Sequence, residues 1–385
     1  MEVEAIFEPL WTISKILGMT PFHIDNRRLV YTKIKILYSV TILTLYTTSL
    51  IVFFKQMPST LHLDIVKLKT IRLLVILHSL GTFILMAFII IFVVIKWGKV
   101  HTEIRTISLI DLELKKLGRD EYILKSNRQV LRSTMVLLVL VQLVFNTLGG
   151  IYTAQTKRDN RVLYFIVMTC PRLVVSNMNI IFYVIMTVLR ERFKVLNKIL
   201  TMRLVSEVDF CHDLHSLVHL HKALTRISQT VNSIFSIQLL VWISADFVLI
   251  VGDLYTIMYI LLAGLYRKYY SVFYGLLKNC VMYSFDLYYL ARTCRSVCLE
   301  ANRTKVLLLG VHIDMEQEDK RNLVISAVLK LMHGPLIITA CKFFSIDNAL
   351  LFSICGATSS YLFIMLQLDL GVGQSSTTLS NATSS

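Results

Sequence analysis

The chain has 385 residues, 55% of them hydrophobic and only 17% charged, yet it carries a formal net charge of +15. A mean hydropathy of +0.64 excludes a disordered chain, whose apolar content is low, and a basic nucleic-acid-binding domain, whose cations sit on a polar surface. What remains is an all-α, polytopic membrane protein with charged loops and no nucleic-acid partner.

The first residues, 1–35, carry Glu2, Glu4, Glu8, Lys15, Asp25, Arg27, Arg28, Lys33 and Lys35. A secretory signal has an uninterrupted apolar core instead, so insertion is expected to use the first spanning helix. Seven windows have the apolar length that a bilayer requires: approximately 36–54, 71–95, 134–154, 162–189, 238–266, 269–294 and 343–366. Pro171 in the fourth is a kink position, and a tight turn around Arg267 and Lys268 joins the fifth to the sixth. With no internal repeat and no soluble-length remainder, residues 1–385 read as a single seven-span domain.

Two long inter-span segments, 190–237 and 291–342, read as cytoplasmic anchor helices. In the first, Leu214, Leu217, Val218, Leu220 and Leu224 recur at helical spacing. His212, His215, His219 and His221 crowd the same stretch. His215 and His219 are a helical turn apart, but the catalytic Glu of a helical zinc site is missing, and the expectation is polar packing without a metal. In the second, Leu323, Ala327, Val328 and Leu331 form one face before a break at His333-Gly334-Pro335. The last helix is therefore expected in two parts, one cytoplasmic and one spanning.

Basic residues are retained on the cytoplasmic side. The N-terminal segment and the second, fourth and sixth loops hold 29 Lys and Arg, and the opposite side holds 9, with Arg72 at the edge of the second window included. The expected topology has the N-terminus inside and the C-terminus outside. That is opposite to a G-protein-coupled receptor, and no G protein is expected as a partner. The seven cysteines are odd in number, in or beside apolar segments, and read as free thiols.

Away from their ends, five charges interrupt the apolar windows: Arg172, Asp246, Asp253, Lys278 and Asp286. Each costs about 2.5–3.5 kcal/mol at the bilayer centre unless paired or wet. Arg172, Asp253 and Lys278 fall at similar depths, about 15–21 Å from the outer ends of their helices at 1.5 Å per residue. Asp253 is expected to pair with Arg172 or Lys278 beside a water-filled pocket. His78, Asn146, Tyr270 and Tyr274 in the outer halves of the second, third and sixth spans complete a candidate wall for a small organic ligand. Aromatic membrane anchoring is the other reading of those rings. In the last span Ser353, Gly356, Ala357, Ser360, Ile364 and Gln367 form one small or hydroxylic stripe. It is either a water-facing pore wall or a close-packing face.

The run Ser360-Tyr361-Leu362-Phe363-Ile364-Met365-Leu366-Gln367-Leu368 resembles the Thr-Tyr, five apolar residues, Gln-Phe signature of insect gustatory receptors, relatives of insect odorant receptors. Leu331 to Pro335, Thr339 to Asp347 and Leu350 to Ile354 resemble the segment leading into that family's last helix. Ser360 replaces Thr, Leu368 replaces Phe, and Lys342 stands where Gly is usual. The resemblance implies a ligand-gated, non-selective cation channel of the plasma membrane of chemosensory neurons. It implies a homo- or heterotetramer in contact with membrane lipid, a small-molecule tastant, more bitter or general than sugar, and no cofactor. It places Ser353, Gly356, Ser360, Ile364, Gln367 and Leu368 on the pore, the last two at the gate. Tyr361 becomes a helix-anchoring residue. The alternative class is a secondary transporter, which the missing inverted repeat disfavours. No nucleophile, metal or phosphate-loop constellation points to an enzyme.

Overall fold

The computed structural model describes residues 2–19, 22–25, 28–31, 33–60, 69–118, 161–206, 210–310, 318–332 and 334–382, with positions 136, 139–141, 144 and 147. Eight helices and two hairpins occur among the described elements. These are α1 (Glu2–Ile16), β1 (Phe22–Asp25), β2 (Arg28–Tyr31), α2 (Lys33–Thr60), α3 (Lys69–Gly118), α4 (Arg161–Ser206), α5 (Phe210–Leu262), α6 (Tyr270–Leu309), α7 (Glu318–Met332), β3 (Thr339–Ala340), β4 (Phe344–Ser345) and α8 (Asn348–Ala382). Most of the third expected span, Asn146 included, lies outside the described residues.

Among the described residues five segments are long and apolar enough to cross a membrane: Ile36–Lys55, Ser79–Leu117, Thr169–Arg203, Leu214–Leu262 and Asn348–Gln367. They lie within α2, α3, α4, α5 and α8. The sixth expected window falls in α6, whose sequence is diluted by Lys278, Asp286, Arg292 and Arg295. Pro171 lies inside α4 without ending it.

The helices outrun a bilayer. The 50 residues of α3 and 53 of α5 span about 75–80 Å at 1.5 Å per residue, against an apolar thickness of about 30 Å. The segment 190–237 is therefore mostly the continuation of α4 and α5. Its expected apolar face is inward: Leu214, Leu217, Leu220 and Leu224 are buried.

The core is a four-helix bundle in which α4 and α5 pack against each other and against both α3 and α6; α1 lies on α3 and α4, and α2 on α4. Its centre is aromatic. Tyr183 meets Trp242 at 6.0 Å and Tyr289 at 4.8 Å, and Phe235 meets Phe182 at 5.2 Å and Phe92 at 5.6 Å. Edge-on packing of such rings adds to their burial.

At the basic end of the bundle the core is held by polar links. Buried Arg192 makes a bidentate ion pair with Asp111, 2.7 and 2.8 Å, joining α4 to α3. Thr304 donates to Asn197 Oδ1 at 2.6 Å, and Asn197 donates to the Glu300 carbonyl at 2.8 Å, joining α4 to α6. His221 lies edge-on to Phe193 and donates from Nε2 to the Ala301 carbonyl at 2.9 Å. His215 and His219 are exposed. Among the described residues no His, Cys, Asp and Glu side chains group as a metal site, and six cysteines are free thiols.

Of the expected break at His333-Gly334-Pro335, His333 lies outside the described residues, and a hairpin follows the other two. Helix α7 ends at Met332, β3 and β4 pair antiparallel, and α8 begins at Asn348. Asp347 caps α8, accepting from the amides of Ala349 at 2.8 Å and Leu350 at 3.4 Å and so satisfying N–H groups that the first turn leaves open.

Candidate functional site

Helix α8 is the barest of the apolar helices among the described residues. Only 6% of its spanning window is buried, against 78% for that of α4. It leans on α5 and α6, with Thr358 turned into the chain and the ring of Tyr361 edge-on to Phe247 at 5.9 Å. Ser353, Gly356, Ser360, Ile364 and Gln367 are exposed. The two hydroxyls donate back to their own helix, Ser353 to Ala349 O at 3.0 Å and Ser360 to Gly356 O at 3.1 Å. That leaves hydroxyl lone pairs for what lies beside the helix. A Cβ on Gly356 would meet nothing within 4 Å, so this glycine serves no close approach inside one chain. Leu368 belongs to α8, and its side chain lies outside the described ones.

Within the bundle, α4, α5 and α6 bring most of the intramembrane charges together. Arg172 donates from Nη1 to Asn279 Oδ1 at 3.0 Å and from Nη2 to the Tyr283 hydroxyl, with its guanidinium 5.0 Å from that ring's centroid. Asn279 also lies against Asp253, which feels the charges of Arg172 and Lys278. Asn279 therefore stands between Arg172 and Asp253. Asp253 Oδ2 and Asp246 Oδ2 have no hydrogen-bond partner among the described residues. One layer further along, Asp246 lies by Asp286 and Trp242, and Tyr183 donates to the Asp286 carbonyl at 3.1 Å.

Tyr270 and Tyr274 are exposed at the start of α6. Tyr274 shares a hydroxyl–hydroxyl bond of 2.8 Å with Tyr266, and Phe273 stands edge-on to both. This cluster sits at the α5–α6 turn, apart from the Arg172 contacts. His78 is a residue of α3, and its side chain lies outside the described ones. A narrow apolar cleft between α2, α3 and α4 is lined by Tyr46, Ser49, Leu50, Phe83, Ile166, Val167 and Pro171, next in sequence to Arg172. Sequence reading missed Asn279, Tyr283 and this cleft. The polar, period-four spacing of Asn279 and Tyr283 was the available signal for the first two.

Residues 7–371 match the family described as 7tm Chemosensory receptor. The chain belongs to that family. This receptor is 26% identical over 154 residues to the putative gustatory receptor 28b of Drosophila melanogaster, an alignment covering 39% of this chain and 33% of that protein. The chain thus matches about a third of the length of that curated relative. Its fold is that of the insect olfactory receptor OR5 from Machilis hrabei, with a TM-score of 0.72 at 13% identity over 95% of this chain and 98% of that one. The same receptor in complex with eugenol gives a TM-score of 0.71 at 13% identity with the same coverage. This protein is therefore an all-α, multi-pass chemosensory receptor with the fold of an insect olfactory receptor, and not an enzyme.

Proposed function

We propose that this receptor is itself a ligand-gated, non-selective cation channel for small tastants, of bitter or general rather than sugar type, in the plasma membrane of chemosensory neurons. Four copies, identical or from related receptors, surround a pore lined by α8. The N-terminus is cytoplasmic and the C-terminus outside, in keeping with the 29-to-9 partition of basic residues. The observation that carries this reading is the bare apolar helix α8, whose uncovered face holds Ser353, Gly356, Ser360, Ile364 and Gln367. A single chain leaves that hydroxylic face without a partner. A ring of such faces around an axis gives it water and ions to contact. The remaining bulky faces, with Phe352 and Phe363, meet lipid or a neighbouring copy.

Gln367 and Leu368 form the gate at the outer end. Four Leu368 side chains exclude water when closed, and Gln367 hydrogen-bonds passing ions once the ring widens. The ligand pocket lies in the outer half, where Arg172, Asp253 and Lys278 provide charge and His78, Asn146, Tyr270 and Tyr274 extend the wall. Asn279 and Tyr283 orient the Arg172 guanidinium.

The test is expression of the chain alone in a cell without endogenous receptors. Current is recorded while sucrose, fructose, caffeine, denatonium and eugenol are applied under G-protein blockade. A ligand-evoked cation current supports the proposal; solute uptake without current at confirmed surface expression removes it. In the same cells Leu368→Ala is expected to raise the ligand-independent current several-fold by widening the apolar constriction. An unchanged basal current at equal surface expression would count against this gate.

A further inference from the structure

The hairpin that leads into α8 turns on Cys341 and Lys342, both at positive φ, 50° and 61°. Phe343 N donates across the turn to Ala340 O at 2.9 Å. Two central residues at positive φ are the demand of a type I′ turn, which Asn-Gly meets and a branched or long side chain resists. Such backbone strain, carried by a residue with a full charge, points toward a role for the side chain.

The turn is also held in place. Cys341 N donates to Ser236 Oγ at 2.6 Å, Thr339 N to Asn232 Oδ1 at 3.3 Å, and Ile346 N to Ile338 O at 2.9 Å. The base of α8 is thereby tied to α5. Lys342 is exposed, Phe343 beside it is 77% exposed, and no ion pair reaches Lys342 among the described residues. The acid nearest in sequence, Asp347, is occupied by Ser345 Oγ at 2.8 Å and the amides of α8. The result is a fixed, unneutralised cation at the Ser353 end of the bare helix.

We infer that Lys342 controls ion flow at the cytoplasmic mouth of the pore. Resting on the channel proposal above, the inference is that four copies make a positive ring that depletes cations at the inner entrance and restricts outward current. A ring of like charge lowers the local concentration of permeant cation, and salt screens it over a Debye length of about 8 Å at physiological ionic strength.

The experiment compares wild type, Lys342→Arg, Lys342→Gln, Lys342→Glu and Lys342→Gly in inside-out patches. Current is evoked by whichever of sucrose, fructose, caffeine, denatonium or eugenol opens the wild type. At low internal salt, outward current relative to inward current is expected to rise at least about twofold in Lys342→Glu. Lys342→Gln and Lys342→Gly should fall between it and wild type, and Lys342→Arg should match wild type. The differences should collapse near 1 M internal salt, where screening acts within about 3 Å. Identical current–voltage shapes in wild type and Lys342→Glu, both conducting, overturn the inference and leave the channel proposal standing. A change only in amplitude that tracks anionic lipid content also overturns it, assigning the cation to the lipid surface. Absence of evoked current from surface-expressed wild type removes the channel proposal and this inference together.

Discussion

His221 is a buried polar residue in the packing between helices. It stands in a histidine-rich stretch, but its ring is buried between α4 and α6, against Phe193 and the Ala301 carbonyl. Burial pushes its pKa below 6.5, while the bond to Ala301 opposes that shift. The unfolded chain then takes up a proton more readily than the native ring. Stability is full above about pH 6.5 and falls as pH drops through the window beneath it. Melting of the detergent-solubilised receptor is expected at lower temperature at about pH 5.5 than at about pH 7.5, and His221→Gln is expected to flatten that dependence; an unchanged slope would argue that other groups carry it. The charged residues of the candidate pocket were legible in sequence because Arg172, Asp253 and Lys278 interrupt apolar runs at a cost that demands partners. Asn279 and Tyr283 were not, because uncharged polar residues are tolerated there and only the rotation of α6 against α4 shows whom they meet.

Among the elements, the long helices were legible and their joining was not. Apolar windows mark where α2, α4, α5 and α8 run, but α4 and α5 continue well beyond the apolar length, so the segment between them is mostly helix. What fastens the extension of α4 to α3 is the buried Arg192–Asp111 ion pair. Removing one partner of a buried pair strands the other's charge. Asp111→Ala is expected to cost about 3–5 kcal/mol, read as loss of surface expression and of thermal stability. Replacing both residues, Asp111→Leu with Arg192→Met, is expected to recover most of it; failure of the double replacement would show that the pair does more than neutralise itself. The hairpin before α8 was visible only as a break at His333-Gly334-Pro335. The positive φ at Cys341 and Lys342 could not be read from sequence, since neither residue favours it.

For the whole molecule, charge partition makes a direct prediction. An epitope tag at the N-terminus should be reached by antibody only after permeabilisation, and one at the C-terminus in intact cells. The reverse labelling pattern would invert the topology and move Lys342 to the outer face. Sequence by itself determined the membrane class, the helical content and the expected sidedness. Each follows from a sum over residues, whether apolar length against bilayer thickness or Lys and Arg counted by loop. Only the tertiary structure decided which polar side chains share a layer in α4, α5 and α6, that α8 is left bare, and that a strained cation stands at its foot. Those depend on helix rotation and contact between residues far apart in sequence, such as Arg172 with Asn279 and Ser236 with Cys341, and no local pattern encodes such a meeting.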